Sequence, residues 1–175
     1  MRNLWQTVKA ENSDGTFNAV IEILKNSRDK YEYDLQKADF VLEKKLSGEQ
    51  MFIFDYGFVP RTITADGDPL DVIVLTQDKL SRGKVVRVEV VGLMKMLDES
   101  QEDDKIIAVI ASDDFWRRRL DDRKQEIFSE IAEWTKRYKD GEETKLEIGG
   151  FASAQKAKKK IKKAIKKYEQ LLAKK

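Results

Sequence analysis

Apolar residues in this chain keep one period up to about residue 110 and another beyond it, and that switch limits the fold more than any other feature. Up to Leu75 they fall in short β-type runs, Ala19–Leu24, Tyr31–Tyr33, Phe40–Lys45, Met51–Phe58 and Leu70–Leu75, broken by polar residues, Gly or Pro. Gly83–Met96 continues as one long Val-rich strand, with a bend expected at Gly92, and Lys105–Ile110 reads as its fully apolar partner. Further on, Ile127, Phe128, Ile131, Trp134 and Tyr138 recur at helical spacing, behind Asp121 or Asp122 as a cap. A second helical stripe, Ala154, Ala157, Ile161, Ala164, Ile165, Tyr168, Leu171 and Leu172, follows Gly149 and Gly150. Strands followed by helices predict an α+β domain, its strands forming a barrel or sandwich.

At 175 residues the chain suits a single domain, 1–175, ending in a basic helix at about 152–174. The longest apolar runs, Val90–Met94 and Ile106–Ala111, fall far short of the roughly 20 residues a membrane-crossing helix needs, so no membrane partner is expected. The opening stretch lacks the apolar core and small-residue cleavage site of a secretory signal, which points to a cytoplasmic protein.

There is no cysteine and no histidine. Disulfides, thiolate metal sites and imidazole chemistry are thereby excluded. Proton transfer falls to a carboxylate, lysine, tyrosine or water, and any metal site must be built from oxygen, which suits magnesium, manganese or calcium. Charge is uneven along the chain. Residues 151–175 hold ten lysines and one glutamate, net +9, whereas the rest carries 24 basic and 31 acidic residues, net −7. The overall +2 therefore hides an acidic, cation-attracting body and a basic terminal helix.

The densest chemistry lies in Asp66-Gly67-Asp68-Pro69-Leu70-Asp71, three carboxylates within six residues around a Gly-Pro turn. Bunched carboxylates repel one another, and a divalent cation offsets that repulsion; a solvated turn is the plainer reading of the same residues. An EF-hand is excluded because positions 6 and 12 counted from Asp66 are Asp71 and Gln77, where that loop needs Gly and Glu. Neither Gly-rich nucleotide cradle occurs. A second acidic group, Asp98-Glu99-Ser100-Gln101-Glu102-Asp103-Asp104, is bracketed by Lys95 and Lys105 between the long strand and its partner. Two such clusters at strand ends would let several metals share a pocket edged with lysines, the arrangement phosphoryl transfer needs.

Here the residues match a known pattern: along nearly its whole length the chain resembles the soluble family I inorganic pyrophosphatases. D-x-D-P-x-D stands as Asp66–Asp71, and K-M-x-D-x-x-x-x-D-x-K follows as Lys95, Met96, Asp98, Asp103 and Lys105. Val20-Ile21-Glu22-Ile23, Lys30-Tyr31-Glu32 and Tyr138-Lys139-Asp140 match further family segments. The resemblance implies a small five-stranded, OB-like β-barrel flanked by two amphipathic helices. It also implies metal-dependent hydrolysis of pyrophosphate to two phosphates, with several Mg2+ ions per site, Mn2+ or other divalent ions being alternatives. Asp66, Asp71 and Asp103 would bind a central ion, Asp98 a further one, and Glu22 and Glu32 outer ions through water. Asp68 would be the general base, Tyr56 would orient a metal-binding carboxylate, and Lys30, Lys44, Lys105, Tyr138 and Lys139 would bind phosphate oxygens. A homo-oligomer, often a hexamer, is implied as well.

The chain departs from the family in carrying Lys44 in place of arginine and Phe52-Ile53 in place of Tyr-Pro. No metal ligand is lost, but a planar fork becomes a point charge at Lys44 and a hydroxyl donor is missing at Phe52. Two rival readings follow from the residues. The lysine-rich helix beside a small barrel suits an OB-like nucleic-acid-binding protein, yet the acidic body would repel a phosphate backbone and nucleic acid is not expected as a partner. Lys44 and Phe52 suit a catalytically impaired cation- and phosphate-binding module, although the retained Asp68, Lys105, Tyr138 and Lys139 argue for chemistry.

Overall fold

The computed structural model describes residues 3–139 and 145–174. Asp140 lies outside these residues, as does the side chain of Lys139. Five strands close into a ring: β1 (Phe17–Ile23), β4 (Asp55–Val59), β5 (Leu70–Leu75), β8 (Lys105–Ile110) and β6 (Val85–Asp98) pair in that order, and β6 pairs back onto β1. This is the five-stranded closure the resemblance implies. A hairpin of β2 (Asp29–Asp34) and β3 (Asp39–Lys45) stands apart as its own sheet, and β7 (Gln101–Glu102) and β9 (Leu146–Ser153) both pair with the long β6. Three helices complete the fold, α1 (Leu4–Thr7), α2 (Asp114–Lys139) and α3 (Ala154–Leu172).

The strands of the ring that read as continuous apolar runs are those buried on both faces. Leu70, Val72 and Val74 of β5 join Ile106, Ala108 and Ile110 of β8 in one cluster, which takes Ala157, Ile161 and Ala164 of α3. Ile73, Leu75, Ile107 and Val109 face the other way and pack with Leu120, Ile127, Phe128 and Ile131 of α2. Each helix therefore buries the stripe its sequence displays, and each buried Leu, Ile or Phe contributes about 1.5–3 kcal/mol.

The structure departs from the expected boundaries at several places. β4 begins at Asp55 and not at Met51, because the Phe52 backbone pairs instead with the loop at Asn26 and Ser27 (N to Ser27 O 2.9 Å, O to Asn26 N 2.7 Å). α2 starts at Asp114, ahead of the expected cap at Asp121 or Asp122, and is capped by the Asp113 carboxylate, which accepts from Trp116 N at 3.0 Å. The backbone breaks helical geometry at Arg123 (φ −135°, ψ 29°), beside Asp121 and Asp122, where the apolar stripe begins. β9 was not expected at all, since Gly149 and Gly150 interrupt its pattern; its pairing with β6 holds it. The terminal helix starts at Ala154, two residues later than expected, with Ser153 as its cap.

Two glycines are required by close approach. A Cβ at Gly92 would meet the Phe128 ring at 2.6 Å, and the β6–β8 register shifts between Val90 and Gly92, the bend anticipated there. A Cβ at Gly57 would lie 1.9 Å from the Val20 carbonyl oxygen, where β1 and β4 press together beside the register shift that sets Glu22 off from the regular pairing. Backbone cannot yield there as a flexible side chain would. Gly57→Ala is expected to lower the unfolding free energy by about 3 kcal/mol, read by urea denaturation, and an unchanged midpoint would show that β1 and β4 can part at no cost.

Candidate active site

The parallel pairing of β5 with β8, and the antiparallel pairing of β6 with β8, bring the starts of β5 and β8 beside the end of β6. That convergence places Asp71, Lys105 and Asp98 around one cavity of about 460 Å³, although Asp71 lies 27 residues before Asp98 in the sequence. Glu22 from the β1 bulge, Lys30 and Glu32 from β2, Tyr56 from β4, Asp66 and Asp68 from the turn before β5, Asp103, and Tyr138 from α2 line the same cavity. Lys44 is not in its wall; its ammonium lies over the Tyr138 ring, 5.1 Å from the centroid.

Lys105 is the buried centre of this arrangement. Its ammonium pairs with both Asp71 and Asp103, and the Tyr56 hydroxyl donates to the same Asp71 oxygen at 3.1 Å. Burial works against its charge, but the two carboxylates outweigh it and raise the Lys105 pKa, so the lysine stays charged. Burial first, then Asp71 and Asp103, raises the Tyr56 phenol well above its usual range, so it stays a donor. Lys30 is held by Glu32 at 2.9 Å and by Glu43, and these partners keep it charged against the effect of burial.

Asp66 accepts from the Thr64 hydroxyl and from Asp68 N at 3.0 Å, which fixes the turn that presents Asp68. Asp68 sits exposed at the cavity mouth, yet the wall strips water from its carboxyl, and Asp66, Glu32, Asp71 and Asp103 repel its charge; its pKa is raised. Glu22 is buried and accepts from Tyr33 N at 2.8 Å; burial first, then Asp71, lifts its carboxyl well above 4.5. Phe52, 1% exposed, packs against the rings of Trp134 and Tyr138 at 5.1 and 5.3 Å. Trp134 stacks on Tyr138 and donates to Met51 O at 2.9 Å, which sets the end of α2 against the cavity.

Four charged lining residues carried no assigned role in the sequence. Glu99, Glu102 and Asp104 belong to the second acidic group and were visible only as members of it. Lys160 comes from α3, where nothing distinguishes it from its neighbouring lysines. Glu43, the second partner of Lys30, also went unmarked.

The wall thus holds ten carboxylates against the ammonium groups of Lys30, Lys105 and Lys160. Such an excess suits cations and would repel any anion that entered alone. Every donor is a hard oxygen, so the set fits magnesium- or manganese-like ions. Among the described residues no three carboxylates stand ready around one point; Asp71 and Asp103 share the Lys105 ammonium instead.

Residues 19–169 match the sequence model of a family described as inorganic pyrophosphatase. A relative named inorganic pyrophosphatase from Haloferax volcanii is 39% identical over 177 residues, covering 99% of this chain and all of the relative. Two solved structures of inorganic pyrophosphatases are similar in fold. That from Neisseria gonorrhoeae has a TM-score of 0.86 at 31% identity, covering 95% of this chain and 99% of its own. That from Thermus thermophilus has a TM-score of 0.80 at 34% identity, covering 96% and 99%.

The raised Glu22 carboxyl predicts a signed pH dependence in chelator-treated protein. The folded state holds this proton more tightly than the unfolded chain, so stability falls as pH rises from about 4.5 through the raised folded value. Glu22→Gln keeps an acceptor for Tyr33 N and cannot ionise. Its unfolding free energy should gain on wild type as pH rises toward neutrality; a gap that stays constant with pH would show that Glu22 ionises normally.

Proposed function

The chain belongs to the inorganic pyrophosphatase family and hydrolyses inorganic pyrophosphate to two orthophosphates, and we propose that it does so as a single magnesium-loaded domain whose carboxylates and lysines divide the work. The observation that carries this division is the charge of the cavity: ten carboxylates face three ammonium groups, and pyrophosphate is itself a polyanion. Divalent cations reconcile the two, and when bound they neutralise phosphate charge and make water more acidic. Membership of the family displaces both the impaired binding module and the nucleic-acid reading.

In the proposed assignment Asp66, Asp71 and Asp103 would hold one Mg2+ and Asp98 another, with Glu22 and Glu32 serving further ions and Mn2+ an acceptable substitute. Tyr56, by donating to Asp71, fixes which oxygen of that carboxylate is turned inward. Asp68 takes a proton from the attacking water onto a carboxylate oxygen, and burial with the repulsion of neighbouring carboxylates raises its pKa, which strengthens it as a base. The water oxygen bonds to one phosphorus as the bridging P–O bond breaks, and the leaving phosphate keeps the electron pair. Lys30, Lys105 and Tyr138, with Lys139, meet the charge on the phosphate oxygens as it grows. Lys44, seated over the Tyr138 ring, acts on phosphate from the rim and more weakly than a bidentate arginine would.

The family resemblance supports a homo-oligomer, often a hexamer, and light scattering of the purified protein reads the subunit count. Among the described residues no helix is long and apolar enough to cross a membrane.

Phosphate release from pyrophosphate should require magnesium and stop in excess chelator. Asp68→Asn and Asp103→Asn should each lower kcat by about 100-fold or more while the circular dichroism spectrum stays that of wild type. Full turnover by Asp68→Asn would remove that residue from the role of base, and turnover in chelator would remove the metals.

A further inference from the structure

Seven of the eight lysines of α3 are exposed; the eighth, Lys160, is turned inward, its side chain 18% exposed, and reaches the cavity wall. Its ammonium pairs with Asp104 and, at 2.7 Å, with Glu102. The Asp104 side chain is only 9% exposed, and its other oxygen accepts from Met96 N at 3.0 Å. The Met96 carbonyl in turn accepts from Asp103 N at 2.9 Å. One residue of β6 is therefore held at both its N–H and its C=O, by residues 104 and 103. Two residues beyond it the chain turns back in a tight hairpin, Leu97 opposite Glu102 and Asp98 opposite Gln101, through Glu99 and Ser100 at φ 49° and 66°.

The route from Lys160 to two proposed metal ligands is thus short and covalent or hydrogen-bonded at each step. We propose that Lys160 is a positioning residue that sets the separation of the Asp98 and Asp103 carboxylates, making the terminal helix a determinant of cation affinity. The inference rests on the reading of Asp98 and Asp103 as cation ligands. Its physical basis is the state of Asp104 without Lys160: a nearly buried carboxylate beside Glu102, left without the ammonium that pairs with it, moves toward water and takes the Met96 contact and the hairpin with it. Removing groups that orient metal ligands typically weakens metal binding by about 10–100-fold.

The test is calorimetric titration of Mg2+ into substrate-free protein, alongside kcat and KM for pyrophosphate across magnesium concentration. Lys160→Met should weaken the tightest Mg2+ binding by about tenfold, Lys160→Arg should restore most of it, and the loss in kcat at saturating magnesium should be smaller than the loss in affinity. Asp104→Asn, which keeps an acceptor for Met96 N, should weaken Mg2+ binding in the same way, and it decides the matter if Lys160→Met does not fold. Wild-type affinity in either folded variant overturns the inference, as does a fall in kcat with Mg2+ affinity unchanged, which would place Lys160 on the substrate. If Asp103→Asn binds Mg2+ as tightly as wild type, the ligand reading itself fails, independently of Lys160.

Discussion

The buried ammonium of Lys105, shared by Asp71 and Asp103, ties the fold to the site. Without partners, a charge at this depth would carry a penalty of several kcal/mol, so the pair must form wherever the ring forms. Its three residues sit at the start of β5, at the start of β8 and just before it, so the contact also registers two parallel strands against each other. A slip of one residue would turn Asp71 out of the cavity and a core side chain into it. The geometry of the cavity and the register of the strands are therefore the same constraint.

The rest of the ring follows from that register. β1 offers Glu22 only because its pairing with β4 shifts between Ile21 and Ile23, and β4 offers Tyr56 only because Gly57 beside it lets the two backbones approach. The helices cover opposite faces of β5 and β8, and each brings something beyond apolar surface. The end of α2 delivers Tyr138, braced by Trp134 and Phe52, while α3 delivers Lys160. Phe52 serves here as a packing wall for Tyr138 and Trp134.

The cavity is less comfortable without cations than a folded protein needs to be. Burial and mutual repulsion raise the carboxyls of Glu22 and Asp68, and both shifts oppose their ionised forms. Selection for function explains retaining such groups where apolar or neutral ones would stabilise the chain. The same excess of negative charge discourages phosphate from entering ahead of its metals.

Much of this was legible along the chain. The runs at Leu70–Leu75 and Lys105–Ile110 coincide with β5 and β8 because strands buried on both faces show unbroken apolar sequence, a local signal. The carboxylates of Asp66–Asp71 and Asp98–Asp104 announced themselves by crowding, and the lack of histidine and cysteine restricted the chemistry to oxygen ligands and lysines. What remained hidden depended on contacts between distant segments. β9 is held by β6 despite its paired glycines, the first turns of α2 have a cap at Asp113 but little apolar stripe, and Lys160 looks like every other lysine of its helix. Residue types and spacings by themselves determined the class of chemistry and the strand-then-helix order. Only the closed ring decided which charges meet, because ion pairing falls off over a few ångströms and no spacing in sequence encodes that distance.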